Sequence, residues 1–304
     1  MLNVFYSPSY VCAEHSFDTT RKAGWIAQSL SDAPLSGVVL QEPQLLTREQ
    51  LGSVHDLNYV EAVATGMPRD LAESQGFRWD AGMWSMVRAT NGGLVAAANA
   101  ARRDGAAGTL SSGLHHARRG HGAGFCTFNG LAIAAKLALT SGATSVLILD
   151  LDAHCGGGTQ SLIADDPRIW QLDVSVSSFD SYRGTPHHRL ELVQSAAAYL
   201  PTIRRGLKWL EDVAPSFDLC LYNAGMDPCE DCALGGLQGI THEMIAEREW
   251  LVFDWCRQRK LPVAFALAGG YLGSRLDEDG LVSLHRLTLV AAARRQHLTS
   301  TVEA

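Results

Sequence analysis

The chain has 304 residues, 46% hydrophobic and 19% charged, with a formal net charge of -7. This is the composition of a globular protein with ample core rather than a disordered chain, and its acidic balance gives no general attraction to nucleic acid or an anionic membrane, so neither is expected as a partner. No apolar run approaches the roughly 20 residues of a membrane span. Met1-Leu2-Asn3-Val4-Phe5 lacks the basic region and apolar stretch of a secretory signal. Seven scattered cysteines (Cys12, Cys126, Cys155, Cys220, Cys229, Cys232 and Cys256) do not read as a disulfide framework, and a cytoplasmic location is the expectation.

In chain order, Pro68 to Asp80 reads as a surface loop and Trp84 to Arg102 as a helix. Asn129 to Leu139, rich in alanine and leucine, predicts a second helix. The apolar run Ser145 to Leu149 predicts a strand buried on both faces. His187-His188 reads as a surface pair, and Ser195 to Glu211 has helical length and period. A strand is expected at Leu219 to Tyr222, a helix at Glu243 to Gln258 and a strand at Val263 to Leu267. The alternation predicts an α/β fold, a single three-layer α/β/α domain over residues 1–304 with a mostly parallel central sheet.

Each of the three strands runs into a polar segment: Asp150-Leu151-Asp152-Ala153-His154, Asn223-Ala224-Gly225-Met226-Asp227 and Ala268-Gly269-Gly270-Tyr271. Ligands of open parallel sheets bind at the carboxyl ends of strands, so these segments are expected to meet. Asp152 and His154 are two apart in an extended stretch and point the same way, which lets a carboxylate and an imidazole grip one cation. Alone that pair is a weak signal. A third ligand is sought in Glu230-Asp231-Cys232, where Asp231 and Cys232 are both chemically competent. His115-His116, ahead of Gly122-Ala123-Gly124-Phe125-Cys126, offers a general base, and Tyr271 a hydrogen-bond donor to an oxyanion.

In this order the motifs resemble those of the histone deacetylase family, within the arginase–deacetylase fold, from Tyr6-Ser7-Pro8 to about Thr288. Asp150 to His154 and Arg248 to Phe253 look closest to the class IV branch. The resemblance implies zinc-assisted amide hydrolysis, with Asp152 and His154 as zinc ligands. It also implies His115 and His116 as the tandem histidines, His116 being the general base and general acid, and Tyr271 as the group that polarises the carbonyl and stabilises the oxyanion. Asp150 is expected to support His115 and, with Ser175, to help hold a structural potassium ion. Gly124 and Phe125 would line the acyl-lysine channel. The implied substrate is an acylated amine, foremost an acyl-lysine of a protein or peptide. The alternative is an acetylpolyamine or other small amide.

Three departures stand out. Counted without gaps from either side, the third ligand position holds Cys232, unless the loop slips by one and Asp231 binds; the register favours Cys232. Cys155 and Gly157 replace the family's His or Gln and its Asn or Asp, the latter a support for the second histidine. Ser177-Ser178-Phe179 stands where His is common. A two-metal ureohydrolase would need a carboxylate two residues after His154, where Gly156 stands. A non-catalytic acyl-lysine-binding protein is the rival of another class, opposed by the retained His115, His116, Asp152, His154 and Tyr271.

Overall fold

The computed structural model describes residues 1–14 and 17–300. Among them are the strands β1 (Leu2–Phe5), β2 (Val38–Gln41), β3 (Ala106–Thr109), β4 (Val146–Asp150), β5 (Ile169–Ser175), β6 (His188–Leu192), β7 (Leu219–Gly225) and β8 (Val263–Ala268). The helices are α1 (Asp18–Asp32), α2 (Arg48–Gly52), α3 (Leu57–Thr65), α4 (Arg69–Ala72), α5 (Ala81–Asp104), α6 (Gly130–Thr140), α7 (Gly157–Ile163), α8 (Ala196–Val213), α9 (His242–Gln258) and α10 (Glu278–Ser300). No helix among the described residues is long and apolar enough to cross a membrane.

The strands form one sheet in the order β2-β1-β3-β8-β7-β4-β5-β6, and every pairing within it is parallel. Alternation along each strand divides the core. On β4, Leu147 and Leu149 join a cluster with Ile203 and Leu207 of α8 and Val252 and Phe253 of α9. Val146 and Ile148 face the other way, toward Leu131 and Ile133 of α6. Both faces of the sheet are thus covered by helices, which is why the strand residues are apolar without alternation.

Local chemistry sets the helix starts. Asp80 caps α5 by accepting from Gly82 N at 2.7 Å, Asn129 caps α6 by accepting from Ala132 N at 3.0 Å, and Thr241 caps α9 by accepting from Met244 N at 3.3 Å. Two expectations are corrected. The stretch 68–80 contains α4 and sends Gln75 and Phe77 into the interior, so it is not simply a surface loop. His188 is 1% exposed at the start of β6, 3.3 Å from the Ile169 carbonyl oxygen, so only His187 of that pair reaches the surface.

Candidate active site

The carboxyl ends of β4, β7 and β8 lie side by side in the middle of the sheet. The residues that follow them converge, as the switch-point rule for parallel sheets requires. Asp150, the last residue of β4, is fully buried and accepts from Asn223 Nδ2 of β7 at 2.9 Å and from Asp152 N at 3.2 Å. Asp152 Oδ1 in turn accepts from His154 N at 3.0 Å and stands 3.2 Å from His154 Nδ1.

The third donor in this cluster is Asp227, two residues beyond β7. Its Oδ1 accepts from Ala153 N at 3.0 Å, and its Oδ2 stands 3.1 Å from His154 Nδ1. Asp152, His154 and Asp227 each offer a ligand atom within 4.8 Å of the others. Gly269, at φ 57°, makes room for Asp227: a Cβ there would lie 2.4 Å from Oδ1. Sequence reasoning missed Asp227, although the two-residue spacing that relates Asp152 to His154 also relates it to Gly225.

Neither loop candidate joins this group. Cys232 is buried and its Sγ donates to the Met226 carbonyl at 3.3 Å, with burial pushing the thiol up to about 12. Asp231 points toward the surface, 3.3 Å from His242 Nε2 and 3.9 Å from Arg275 Nε. There it sits with Cys229 and His242.

Asp227 Oδ2 is buried, with His154 Nδ1 3.1 Å away. Two carboxylates and an imidazole nitrogen turned toward one point repel unless a proton or a cation lies between them. His154 reflects this. Burial opposes its charge, but the hydrogen bonds and charges of Asp152 and Asp227 outweigh burial and raise it to about 11. The proton occupies the place that nitrogen and oxygen donors of this kind would give to zinc, so the residues present fit such an ion.

The paired histidines stand beside this cluster. His115 Nδ1 donates to Asp150 Oδ2 at 2.7 Å, and His115 Nε2 lies 3.1 Å from His116 Nε2. Burial lowers the His115 pKa, yet Asp150 and Asp152 prevail and lift it to about 10. His116 goes the other way: burial and the charge of His115 bring it down to about 4. One imidazole is cationic and its neighbour neutral, a separation typical of acid–base pairs. His116 Nδ1 is 2.9 Å from Asp180 Oδ2.

Tyr271 follows Gly269-Gly270 and is 9% exposed; burial, then Asp227 and Asp152, raise its phenol far above the ordinary range, so it stays a donor. Its ring lies 5.7 Å from that of Phe17. Phe125, at φ 66°, stacks on Phe77 at 5.4 Å and touches Phe17 at 4.4 Å. Gly124, Phe125, Leu114, His116, Asp152 and Tyr271 line one cavity. On the opposite side Phe179 sets its edge against His116 and His154, at 5.0 Å and 5.9 Å. Lys22 is a further component without a sequence signal: fully buried on α1, it donates to the Gly269 carbonyl at 2.7 Å and to Ser112 Oγ at 3.0 Å.

A parallel α/β sheet whose strand ends gather cation donors, paired imidazoles and a phenol defines the arginase–deacetylase class of fold. Within that class the chain belongs to the histone deacetylase family: residues 15–280 match the histone deacetylase domain. An uncharacterised protein of Picosynechococcus is 33% identical over 298 residues, covering 95% of this chain and 97% of its own. Histone deacetylase 2 of Arabidopsis thaliana is 28% identical over 312 residues, covering 95% and 80%. The solved structure of an acetylpolyamine aminohydrolase from Burkholderia pseudomallei superposes with a TM-score of 0.76 at 20% identity, covering 96% and 98%, a likeness of fold.

Proposed function

We propose that this protein is a zinc-dependent amide hydrolase that removes the acyl group from an acylated amine, foremost an acyl-lysine of a protein or peptide. The observation that carries the reading is the convergence of Asp152, His154 and Asp227 beside the paired imidazoles of His115 and His116 and the buried phenol of Tyr271. Asp152, His154 and Asp227 would hold the ion, which when bound supplies Lewis-acid polarisation of the amide and acidifies water. Ser175, 1% exposed, has Oγ 3.2 Å from the His154 carbonyl; with Asp150 nearby, these oxygens suit the expected potassium ion.

The protein's own groups divide the remaining work. His116, with its Nδ1 turned to Asp180, offers Nε2 to take a proton from the attacking water, beside His115 Nε2 at 3.1 Å. The Tyr271 hydroxyl donates to the carbonyl oxygen as negative charge grows there. The proton taken by His116 then goes to the departing amine, while His115, held by Asp150, stabilises the charge. Phe125 and Phe179 exclude water from an apolar stem.

Among the described residues, the cavity lining includes a single carboxylate, Asp152. Nothing in that lining is left over to hold the second ammonium of a polyamine, which favours acyl-lysine. The test compares release of acyl groups from acyl-lysine peptides and acetylpolyamines by the zinc-loaded protein. Turnover of the peptides is expected, with Tyr271→Phe lowering kcat by about 100-fold or more. Retained zinc and peptide binding with no turnover of either substrate would instead support the non-catalytic binder.

A further inference from the structure

The two histidines have carboxylate partners of different origin. Asp150 reaches His115 from the end of β4, within the sheet. The partner of His116 comes from the connection between β5 and β6, 64 residues along the chain. We infer that Asp180 is the positioning residue of His116, entering the space that a side chain at position 157 would fill. The inference rests on the reading of His116 as the proton acceptor.

Four observations support it. Asp180 Oδ2 receives both His116 Nδ1 at 2.9 Å and Gly158 N at 2.9 Å. Its other oxygen pairs with the Arg118 guanidinium, which also donates to the Gly157 carbonyl at 3.3 Å. The Asp180 side chain is 9% exposed, and its backbone takes the left-handed conformation at φ 59°, which aspartate tolerates better than most residues with a Cβ. A Cβ at Gly157 would stand 2.2 Å from the Asp180 carbonyl oxygen and 2.7 Å from Oδ1. Glycine at 157 and aspartate at 180 are therefore two halves of one arrangement: the absent side chain at the first makes room for the second.

The chemical consequence is a fixed tautomer. A carboxylate beside Nδ1 holds the proton on that nitrogen, so Nε2, 3.1 Å from His115 Nε2, is left as the nitrogen that accepts a proton. Phe179, the neighbour of Asp180, lies edge-on to the same ring, and its carbonyl accepts from Cys155 N at 3.0 Å. The segment that orients the base thus also sets an aromatic ring against it.

The experiment uses the zinc-loaded protein and three variants: Asp180→Ala, Gly157→Ala and the double. Imidazole nitrogen NMR reads the His116 tautomer. The expectation is a single Nδ1–H tautomer in the parent and a mixture in both single variants. On acyl-lysine peptide, kcat should fall by about 100-fold in each with zinc content kept and KM within about threefold. The double variant should be no slower than the worse single, because both remove one contact. An unchanged tautomer in Asp180→Ala, or losses that simply multiply in the double, would overturn the inference. If the parent hydrolyses neither peptides nor polyamines, the hydrolase reading fails, and the tautomer measurement still decides the role of Asp180.

Discussion

The strand ends that form the floor of the site and the loops that close it are held by different forces. The floor is built into the ladders of β4, β7 and β8 and is tied together by Arg248. That side chain is fully buried on α9 and donates to the Gly225 carbonyl at 2.6 Å, the Leu151 carbonyl at 3.2 Å and Tyr199 Oη at 3.1 Å, and pairs with buried Glu249 at 2.6 Å. Two strand ends that carry cation donors are thereby joined through one guanidinium. The loops have no such ladder. Residues 176–187 and 226–241 are held by scattered contacts instead: Asp180 with Arg118, Glu230 with Gly239 N, Asp227 with Ala153 N, single backbone bonds such as Glu230 N to the Ile240 carbonyl, and, in the second loop, the buried side chains of Met226, Cys229 and Ile240. Damage to the floor should therefore appear as lost stability, and damage to the loops as lost chemistry in a folded protein.

The largest effect should come from breaking the floor. Arg248→Met leaves Glu249 buried without its cation and two strand-end carbonyls without their donor, and should lower unfolding free energy in urea by about 3–5 kcal/mol. Stability within experimental error of the parent would refute the division between floor and loops. Next comes Asp227→Asn, which removes an anionic donor but keeps size and Oδ1. Zinc should bind at least about 100-fold more weakly, beyond the usual effect of removing an outer partner, while urea unfolding of the metal-free protein is little changed. Cys232→Ala should keep its zinc, and a cobalt-substituted parent should show no thiolate charge-transfer band. Such a band, or loss of metal in Cys232→Ala alone, would transfer the third ligand to the thiolate.

The same division explains what could be read in advance. Val146–Asp150 and Val263–Ala268 announce themselves by continuous apolar runs, and the expected bounds differ from the observed ones by a residue. β3, Ala106-Ala107-Gly108-Thr109, escapes notice because its small residues carry no strand signature; a Cβ on Gly108 would lie 2.1 Å from the Phe265 ring, so the sheet needs them small. The pairing of Asp150 with His115 follows from the motif order. Asp227 and Asp180 do not, for two reasons. Counting register along the loop after β7 points to Cys232 and passes over a carboxylate that the strand direction itself aims inward. The His116–Asp180 contact depends on a left-handed residue in a distant loop, and its one trace in the sequence is negative: glycine at 157, where a supporting side chain is expected.

The smallest effect should separate two aromatic rings near His116, Phe125 in the cavity lining and Phe179 outside it. Phe125 is stacked on Phe77 and packed against Phe17, so its removal opens the core as well as the channel. Phe179 is 52% exposed and, among the rings described, meets only His116 and His154, both nearly perpendicular to it. Phe179→Ala should leave unfolding within about 0.5 kcal/mol of the parent, as for other exposed positions. It should raise KM for an acyl-lysine peptide by about 3- to 10-fold, the worth of one aromatic contact, with kcat nearly constant. Phe125→Ala should raise KM similarly and also destabilise, by about 3 kcal/mol for a large side chain lost from a packed cluster. If both variants lose stability equally, the Phe179 loop is part of the fold's support rather than a wall laid over it; if Phe179→Ala lowers kcat as strongly as Asp180→Ala, the ring holds the imidazole in place rather than lining the path of the substrate.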